Sequence, residues 1–234
     1  MNLWEIEITG DASDLVDLTH WLPSGPVHLI SRNATVLLTG ERFEFECDHR
    51  MVYDLATRVC ADLTAAGRVM HILENPLVPT VVHQMQSDGS RISRGFVLSD
   101  LRAGFRVKRA VPDGAGQNAL QAIMTELNGS PHLQAAIEAS SGRPITWPRL
   151  YRALEEVEAY LEDSVSNVGL CSVSDRDRLK HSANSAEVAG VDARHHIGHS
   201  KPPRKPMSLH EASELVRTLI EGAAQLMASS RGAA

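Results

Sequence analysis

The stretch VPDGAG at residues 111–116 separates two halves of the chain that differ in hydrophobic pattern. A cluster of proline and glycine interrupts regular secondary structure. Before it, apolar and polar side chains mostly alternate, which is the period of a strand; after it, apolar side chains recur every three or four residues, as in an amphipathic helix. The sequence therefore predicts an α+β fold with two domains, a small antiparallel-sheet domain over residues 1–112 and a helical bundle over residues 117–230.

The first domain carries several strand signals. Residues 4–8 alternate apolar with acidic side chains. Asn33 can adopt the left-handed conformation that a tight hairpin turn between residues 27–31 and 35–39 requires. Further strands are predicted at residues 43–47, 68–73, 80–86, 92–98 and 105–110.

One helix is predicted among these strands. Asp48 is a suitable N-cap for a helix over residues 49–66, and Gly67 is suited to the position just after its end. His71 and His83 fall within predicted strands among apolar neighbours. Both histidines are therefore expected to have packing or surface roles rather than chemical ones.

Helix signals dominate the second half. Ser130 followed by Pro131 is an N-cap with proline in the first turn, and Ser208 with Glu211 forms the capping box of a final helix. Another helix is predicted to begin after Thr146 and to carry an acidic face of Glu155, Glu156, Glu158 and Glu162. Four or five amphipathic helices joined by short loops predict a bundle.

Composition narrows the function classes. A formal net charge of −6 and an aromatic content of 4% argue against a dedicated nucleic-acid binder that stacks bases on aromatic rings. Three cysteines without paired spacing argue against a disulfide framework and a cysteine-rich zinc site, and we expect neither a metal nor a cofactor. The sequence shows no signal peptide and no long apolar run, so we expect a cytoplasmic protein without membrane contact.

Basic charge is concentrated ahead of the final helix. Residues 174–205 contain seven basic and four acidic side chains, a local charge of +3, and five of the eleven histidines lie between residues 181 and 210. A histidine can exchange protons with a ribose hydroxyl, and a guanidinium can hold a phosphate by two hydrogen bonds. Arginine beside histidine therefore suits phosphodiester cleavage without metal. The four-residue spacing of His195 and His199 also suits zinc, but no glutamate follows His195 in an HExxH pattern.

The segment RHHIGH at residues 194–199 resembles the Arg-polar-x-x-x-His motif of the HEPN family. The resemblance covers about residues 117–230 and implies a helical bundle that cleaves RNA as a homodimer without metal, leaving a 2′,3′-cyclic phosphate. It implies that Arg194 holds the scissile phosphate, that His199 is the acid/base and that His195 fills the polar position. The basic residues predicted to bind further phosphates are Lys180, Lys201, Arg204 and Lys205.

The motif spacing also occurs elsewhere in the chain. Arg176 and His181 are a rival pair for the same role. The number of such pairs in the chain is about what chance produces, so only their place relative to the helices can distinguish them. We prefer the pair at residues 194–199 because it stands directly before the final helix, where the family places it. One departure from the family is that Ser185 and Gly190 are expected to interrupt the helix that precedes Arg194.

Other readings of this region remain open. The basic segment can instead pair with the acidic face of the helix after Thr146. Residues 180–184, 193–195 and 206–208 are also similar to uncharacterised bacterial proteins of the accessory genome, which implies a family but no activity. The function expected from the motif is a ribonuclease, as a toxin or antiphage defence effector. The alternative is a non-catalytic interaction or nucleic-acid-binding protein of a bacterial defence or mobile-element system, with the N-terminal domain binding a protein partner.

Overall fold

The computed structural model describes residues 3–46, 48–86, 88, 90–96, 114–142, 144–193 and 203–232. It is a mixed α+β structure with an antiparallel sheet at the N-terminal end and helices mostly in the C-terminal half, which confirms the predicted class. The chain divides into two compact units, Met1–Met124 and Thr125–Ala234. Of the predicted boundary at residues 111–116, residues 111–113 lie outside the described residues, and residues 114–116 are the first residues of a helix, Gly114–Glu126.

The sheet of the first unit has five strands in the described part of the chain. Their order is β2-β3-β1-β4-β5, and every neighbouring pair is antiparallel. On the central strand, Trp4, Ile6 and Ile8 are buried, as the alternating pattern predicts. The strands are β1 (Leu3–Thr9), β2 (His28–Arg32), β3 (Thr35–Thr39), β4 (Val78–Met85) and β5 (Arg91–Gly95).

The hairpin between β2 and β3 forms as predicted. Asn33 and Ala34 both have positive φ angles, 51° and 62°. Two left-handed residues in succession make the mirror-image turn whose twist matches that of the flanking strands. Register follows from this turn, so that Leu29 lies opposite Leu38.

The prediction of a single helix in the first unit is wrong. The helices α1 (Ala12–Trp21) and α2 (His49–Val69) both lie there, and α3 (Gly114–Glu126) begins there. Asp11 caps α1 by accepting hydrogen bonds from the N–H groups of Ser13 and Asp14. The predicted N-cap of α2 is confirmed, because the Asp48 carboxylate accepts the Arg50 N–H at 2.7 Å.

Two predicted strands are also wrong. The first was predicted at residues 43–47. Residues 41–43 instead form a 3-10 turn in which Phe43 is buried, whereas Phe45 is 86% exposed, so the two phenylalanines do not lie on one face of a strand. The strand predicted at residues 68–73 is the end of α2 and a turn at His71, whose φ is 56°. Gly67 lies inside α2 rather than just after its end, and a Cβ at this position would come within 2.6 Å of the Leu73 side chain. Residues 47 and 97–110, which include the last predicted strand, are not among those described.

Helices dominate the described part of the second unit. The predicted start of α4 is confirmed, because Ser130 Oγ accepts the Leu133 N–H. The predicted capping box is confirmed too: Ser208 N–H donates to Glu211 and Glu211 N–H to Ser208. Helix α5 packs against three others, α4, α6 and α8. The described helices here are α4 (Pro131–Ser141), α5 (Trp147–Leu161), α6 (Val173–Asn184), α7 (Ala186–Ala189) and α8 (Leu209–Gly232). Over the described ranges, none of the helices combines the length and apolar character needed to cross a bilayer.

Candidate functional site

The preferred motif lies between two described parts of the second unit. Arg194, His195, His199 and Lys201 fall at residues 194–202, which the structure does not describe. The described chain ends before them at Ala193 and resumes at Pro203. The surroundings of these two ends, and the rival pair on α6, are therefore the parts of the candidate site whose geometry is known.

On the upstream side, the helix preceding the motif is interrupted as predicted. Helix α6 ends at Asn184, and Ser185 is extended before the single turn of α7. Gly190, with φ of 61°, then starts a 3-10 turn that ends at Asp192. Because Ser185 is extended and Gly190 has a positive φ angle, residues 185–193 do not continue α6 as one long helix.

The rival arginine is held by a carboxylate. Arg176 and Lys180 lie four residues apart on α6 and so share one face of the helix. Arg176 Nη2 donates to Glu158 Oε2 at 3.2 Å, and its Nε donates to Oε1. Lys180 Nζ lies 3.3 Å from Oε2 of the same residue. Glu158, on α5, therefore binds both basic side chains, and the pairing of the basic segment with the acidic helix is found in this part of the site.

Burial and the neighbouring positive charges shift the pKa of Glu158 in opposite directions. Its side chain is only 17% exposed. Burial alone would raise the pKa of this carboxyl, but the hydrogen bonds and positive charges of Arg176 and Lys180 hold the pKa below its ordinary value. The hydrogen bond that Arg176 donates to Glu158 also raises the pKa of Arg176. Glu158 and Arg176 are therefore ionised at neutral pH, and the Arg176 guanidinium is occupied by Glu158 rather than presented to a ligand.

His181 does not share the face of Arg176. Five positions along a helix correspond to a rotation of about 140°. His181 is exposed, whereas Arg176 is half-buried against α5. Within one chain, the side chains of Arg176 and His181 thus point away from α6 in different directions.

The downstream end of the basic segment is fastened to α6. Arg178 Nε donates to the Lys205 carbonyl oxygen at 3.1 Å, and the Met207 N–H donates to Ser182 Oγ at 2.9 Å. Met207 and Ser182 are both buried. The side chains of Arg204 and Lys205, two of the predicted phosphate-binding residues, are exposed. A third, Lys180, is paired with Glu158 as described above.

A buried carboxylate elsewhere in this unit is not predicted from the sequence. Glu126, only 1% exposed, accepts a hydrogen bond from Tyr160 Oη at 2.8 Å and an ion pair from Arg231 Nη1 at 3.2 Å. Burial and the neighbouring carboxylate raise the pKa of Tyr160 above its ordinary value. Because its partners come from α5 and α8, Glu126 fastens the end of α3 to both helices. No local pattern signals such a contact, since the three residues are far apart in sequence.

Two further features of the second unit bear on ligands. A groove of about 350 Å³ between α4 and α5 is lined by Glu138, Arg149 and Arg152 among smaller residues. In the residues that the structure covers, no group of three or more histidine, cysteine, aspartate or glutamate side chains could hold a metal ion.

Glutamine at position 158 is expected to change how stability depends on pH. A carboxyl whose pKa is lowered in the folded state adds stability above its unfolded pKa, about 4.5, and loses it as the pH falls through the folded value. Wild-type protein should therefore melt higher than Glu158→Gln at neutral pH, and the difference should shrink as the pH falls below about 4.5. Glu162→Gln, at an exposed position, is the matched control and should show no such trend. A constant gap between wild type and Glu158→Gln across that range would argue against ionised pairing.

The chain is thus a mixed α+β protein. Its arginine- and histidine-rich segment falls, in sequence, between α7 and α8 of the second unit. No protein-family model, no curated protein and no solved structure matches this chain. The likeness to the HEPN family therefore rests on residues 194–199 and on the helical pattern around them.

Proposed function

We propose that this chain is a metal-independent endoribonuclease of HEPN type, acting as a homodimer, with Arg194 holding the scissile phosphate and His199 as acid/base. The observation that carries the choice is the pairing of Arg176 with Glu158. A guanidinium that is already bound by two hydrogen bonds to a carboxylate offers little to a phosphate. Arg194 is then the better candidate of the two, with His195 at the polar position beside it.

The proposed chemistry is a transfer within the RNA strand. The ribose 2′-oxygen attacks the adjacent phosphorus and the bond to the 5′-oxygen breaks, which gives a 2′,3′-cyclic phosphate and a free 5′-hydroxyl. Histidine removes the 2′-hydroxyl proton or supplies a proton to the leaving 5′-oxygen. Arginine stabilises the charge that accumulates on the non-bridging oxygens. No metal is required for either step.

Exposed basic residues beside the motif support RNA as the ligand. Arg204 and Lys205 are exposed, while their backbone is held against α6 through the Lys205 carbonyl and Met207. Together with Lys201 they would bind phosphates flanking the cleaved one. Contacts of this kind weaken with added salt, because phosphate binding releases counterions. An RNA-cleaving activity of this sort fits a toxin or an antiphage defence effector.

The test is cleavage of RNA by the purified chain in EDTA. We expect fragments that end in 2′,3′-cyclic phosphate and begin with 5′-hydroxyl, as shown by mass spectrometry of the products. Cleavage that requires added divalent metal, or fragments with 5′-phosphate ends, would sink the proposal. A preparation carrying Arg194→Ala, purified in parallel, controls for contaminating ribonuclease.

A second candidate is a non-catalytic interaction protein. It is favoured by one observation, that Glu158 already pairs with two residues of the basic region. In that case the basic segment serves to join helices, and binding of a partner would depend on the exposed acids of α5 and its end. Glu155→Lys together with Glu162→Lys would then abolish partner binding. RNA cleavage would be absent from wild type and from all variants.

A further inference from the structure

Three polar side chains meet on one face of the sheet in the first unit. His83, on β4, lies directly opposite Ser93 on the neighbouring strand β5. Its Nδ1 is 2.7 Å from Ser93 Oγ, and its Nε2 is 2.9 Å from Oε1 of Glu7 on β1. The imidazole is buried, whereas Ser93 is exposed. His83 thus links an accessible hydroxyl to a carboxylate.

The hydrogen-bond partners determine where the protons lie. An ionised carboxylate only accepts hydrogen bonds, so the proton of a neutral His83 ring is on Nε2 and is donated to Glu7. Nδ1 is then free to accept the Ser93 hydroxyl proton. Hydroxyl, imidazole and carboxylate in this order are the arrangement that activates a serine nucleophile, and such sites are recognised by geometry rather than by position in the sequence.

The strand register supplies hydrogen-bond donors beside the hydroxyl. Phe96 N–H donates to Thr80 O and Gln86 N–H donates to Ser90 O, both at 2.8 Å. In an antiparallel pair, hydrogen-bonded and non-hydrogen-bonded positions alternate, so His83 and Ser93 form a non-hydrogen-bonded pair. The N–H groups of Ser93 and Gly95 therefore point away from β4, along the outer edge of the last strand in the described sheet. Of these two groups, the Ser93 N–H lies beside the Ser93 hydroxyl and can donate to an oxyanion that forms there.

The open space over Gly95 and the positive charge of Arg91, both on this face of the sheet, indicate the class of substrate. Ser93, Arg91 and Gly95 share this face, because side chains two apart on a strand point the same way. A Cβ added to Gly95 would have nothing within 4 Å, and the half-buried Val81 lies opposite it. Arg91, on the other side of Ser93, is exposed. An acyl group can therefore lie over Gly95 and Val81, with a negative charge near Arg91.

We propose that Ser93, His83 and Glu7 form a second active site, which hydrolyses carboxylic esters that carry a negative charge. Ser93 Oγ forms a bond to the carbonyl carbon while His83 Nδ1 takes its proton, and Glu7 stabilises the resulting imidazolium. The bond to the leaving alcohol breaks, and that alcohol takes the proton from His83. Water then attacks the acyl-serine, gives one proton to His83, which returns it to Ser93 Oγ, and releases the carboxylic acid.

Covalent labelling tests the nucleophile. The full chain is incubated with a fluorophosphonate probe, and the modified peptide is located by mass spectrometry. Ser93 is expected to carry the label, and Ser93→Ala is expected to lose it. Ser31→Ala is the matched control, because Ser31 is also an exposed serine on a strand of this sheet, and labelling should be unchanged. Absence of label on Ser93 in folded wild-type protein would overturn the proposal.

Ester hydrolysis tests the supporting roles. Glu7→Gln keeps the shape of the side chain, so it separates a catalytic effect from misfolding, and it should slow hydrolysis of 4-nitrophenyl esters by about 10²- to 10⁴-fold. The monoester of glutaric acid should react faster than the neutral acetate in wild type, and Arg91→Ala should remove that preference. Unchanged rates in Glu7→Gln would overturn the triad, and an unchanged preference in Arg91→Ala would overturn the assigned substrate class. RNA cleavage should persist in Ser93→Ala, so the two proposed activities fail separately.

Discussion

Alanine in place of His199 is expected to lower the rate of RNA cleavage in EDTA by about 10²- to 10⁴-fold, which is the usual contribution of a positioned general acid or base. The proposed reaction needs proton transfer at the 2′-oxygen and at the leaving 5′-oxygen. Alanine can perform neither transfer, although RNA can still bind through the neighbouring arginine and lysine side chains. The rate is measured under single-turnover conditions with a fluorescent RNA and saturating protein, which separates chemistry from binding.

His181→Ala is the matched control for this substitution. His181 is exposed on α6, in the same basic region, so its removal changes charge and composition in a comparable way. Its rate should stay within a few-fold of wild type. The proposal would be contradicted by full activity in His199→Ala, and loss of activity in His181→Ala alone would move the site onto α6.

Trp4→Ala is expected to lower the free energy of unfolding of the first unit by about 3–5 kcal/mol, the cost of removing a large aromatic side chain from a core. Trp4 is 1% exposed on the central strand. Its Nε1 donates to the Glu46 carbonyl at 3.1 Å, and its ring meets that of His49 edge-on, with centroids 5.0 Å apart. The substitution therefore removes apolar burial, one hydrogen bond and one aromatic contact together.

Phe45→Ala is the matched control for Trp4→Ala, since Phe45 is an aromatic residue of the same unit that is 86% exposed. Its loss should change the unfolding free energy by no more than about 0.5 kcal/mol. Urea unfolding followed by circular dichroism measures both variants. Similar destabilisation by the two substitutions would contradict the burial of Trp4 and the exposure of Phe45.

Sequence signals that act over a few residues predicted the fold well. The alternation at residues 4–8, the turn residue Asn33 and the caps Asp48, Ser130 and Ser208 were each confirmed. Each of these depends on backbone geometry within one turn or one strand. A short polar side chain at a helix start, or a residue tolerant of positive φ, has the same effect in many tertiary settings.

The wrong predictions arose where packing at a distance overrides the local pattern. Residues 43–47 alternate like a strand, yet only Phe43 of its two phenylalanines is buried, because the chain turns there. Gly67 resembles a helix end, but α2 continues to Val69, and the Leu73 side chain fills the space that the missing Cβ leaves. In the candidate site, charge alone suggested that the basic segment could pair with α5. Which residues pair, Arg176 and Lys180 with Glu158, depends on how α5 and α6 pack and could not be predicted from either helix.

Cleavage rates of Arg194→Ala and Arg176→Ala in the same EDTA assay most directly separate the proposed phosphate-binding arginine from the arginine that holds Glu158. Arg176→Ala is expected to melt at a lower temperature, because Glu158 loses its bidentate partner, and to cleave RNA at the wild-type rate wherever it is folded. Arg194→Ala is expected to cleave at least about 10²-fold more slowly, since the charge on the phosphate oxygens is no longer stabilised. Wild-type cleavage by Arg194→Ala, or loss of cleavage in folded Arg176→Ala, would contradict the assignment of Arg194 to the phosphate.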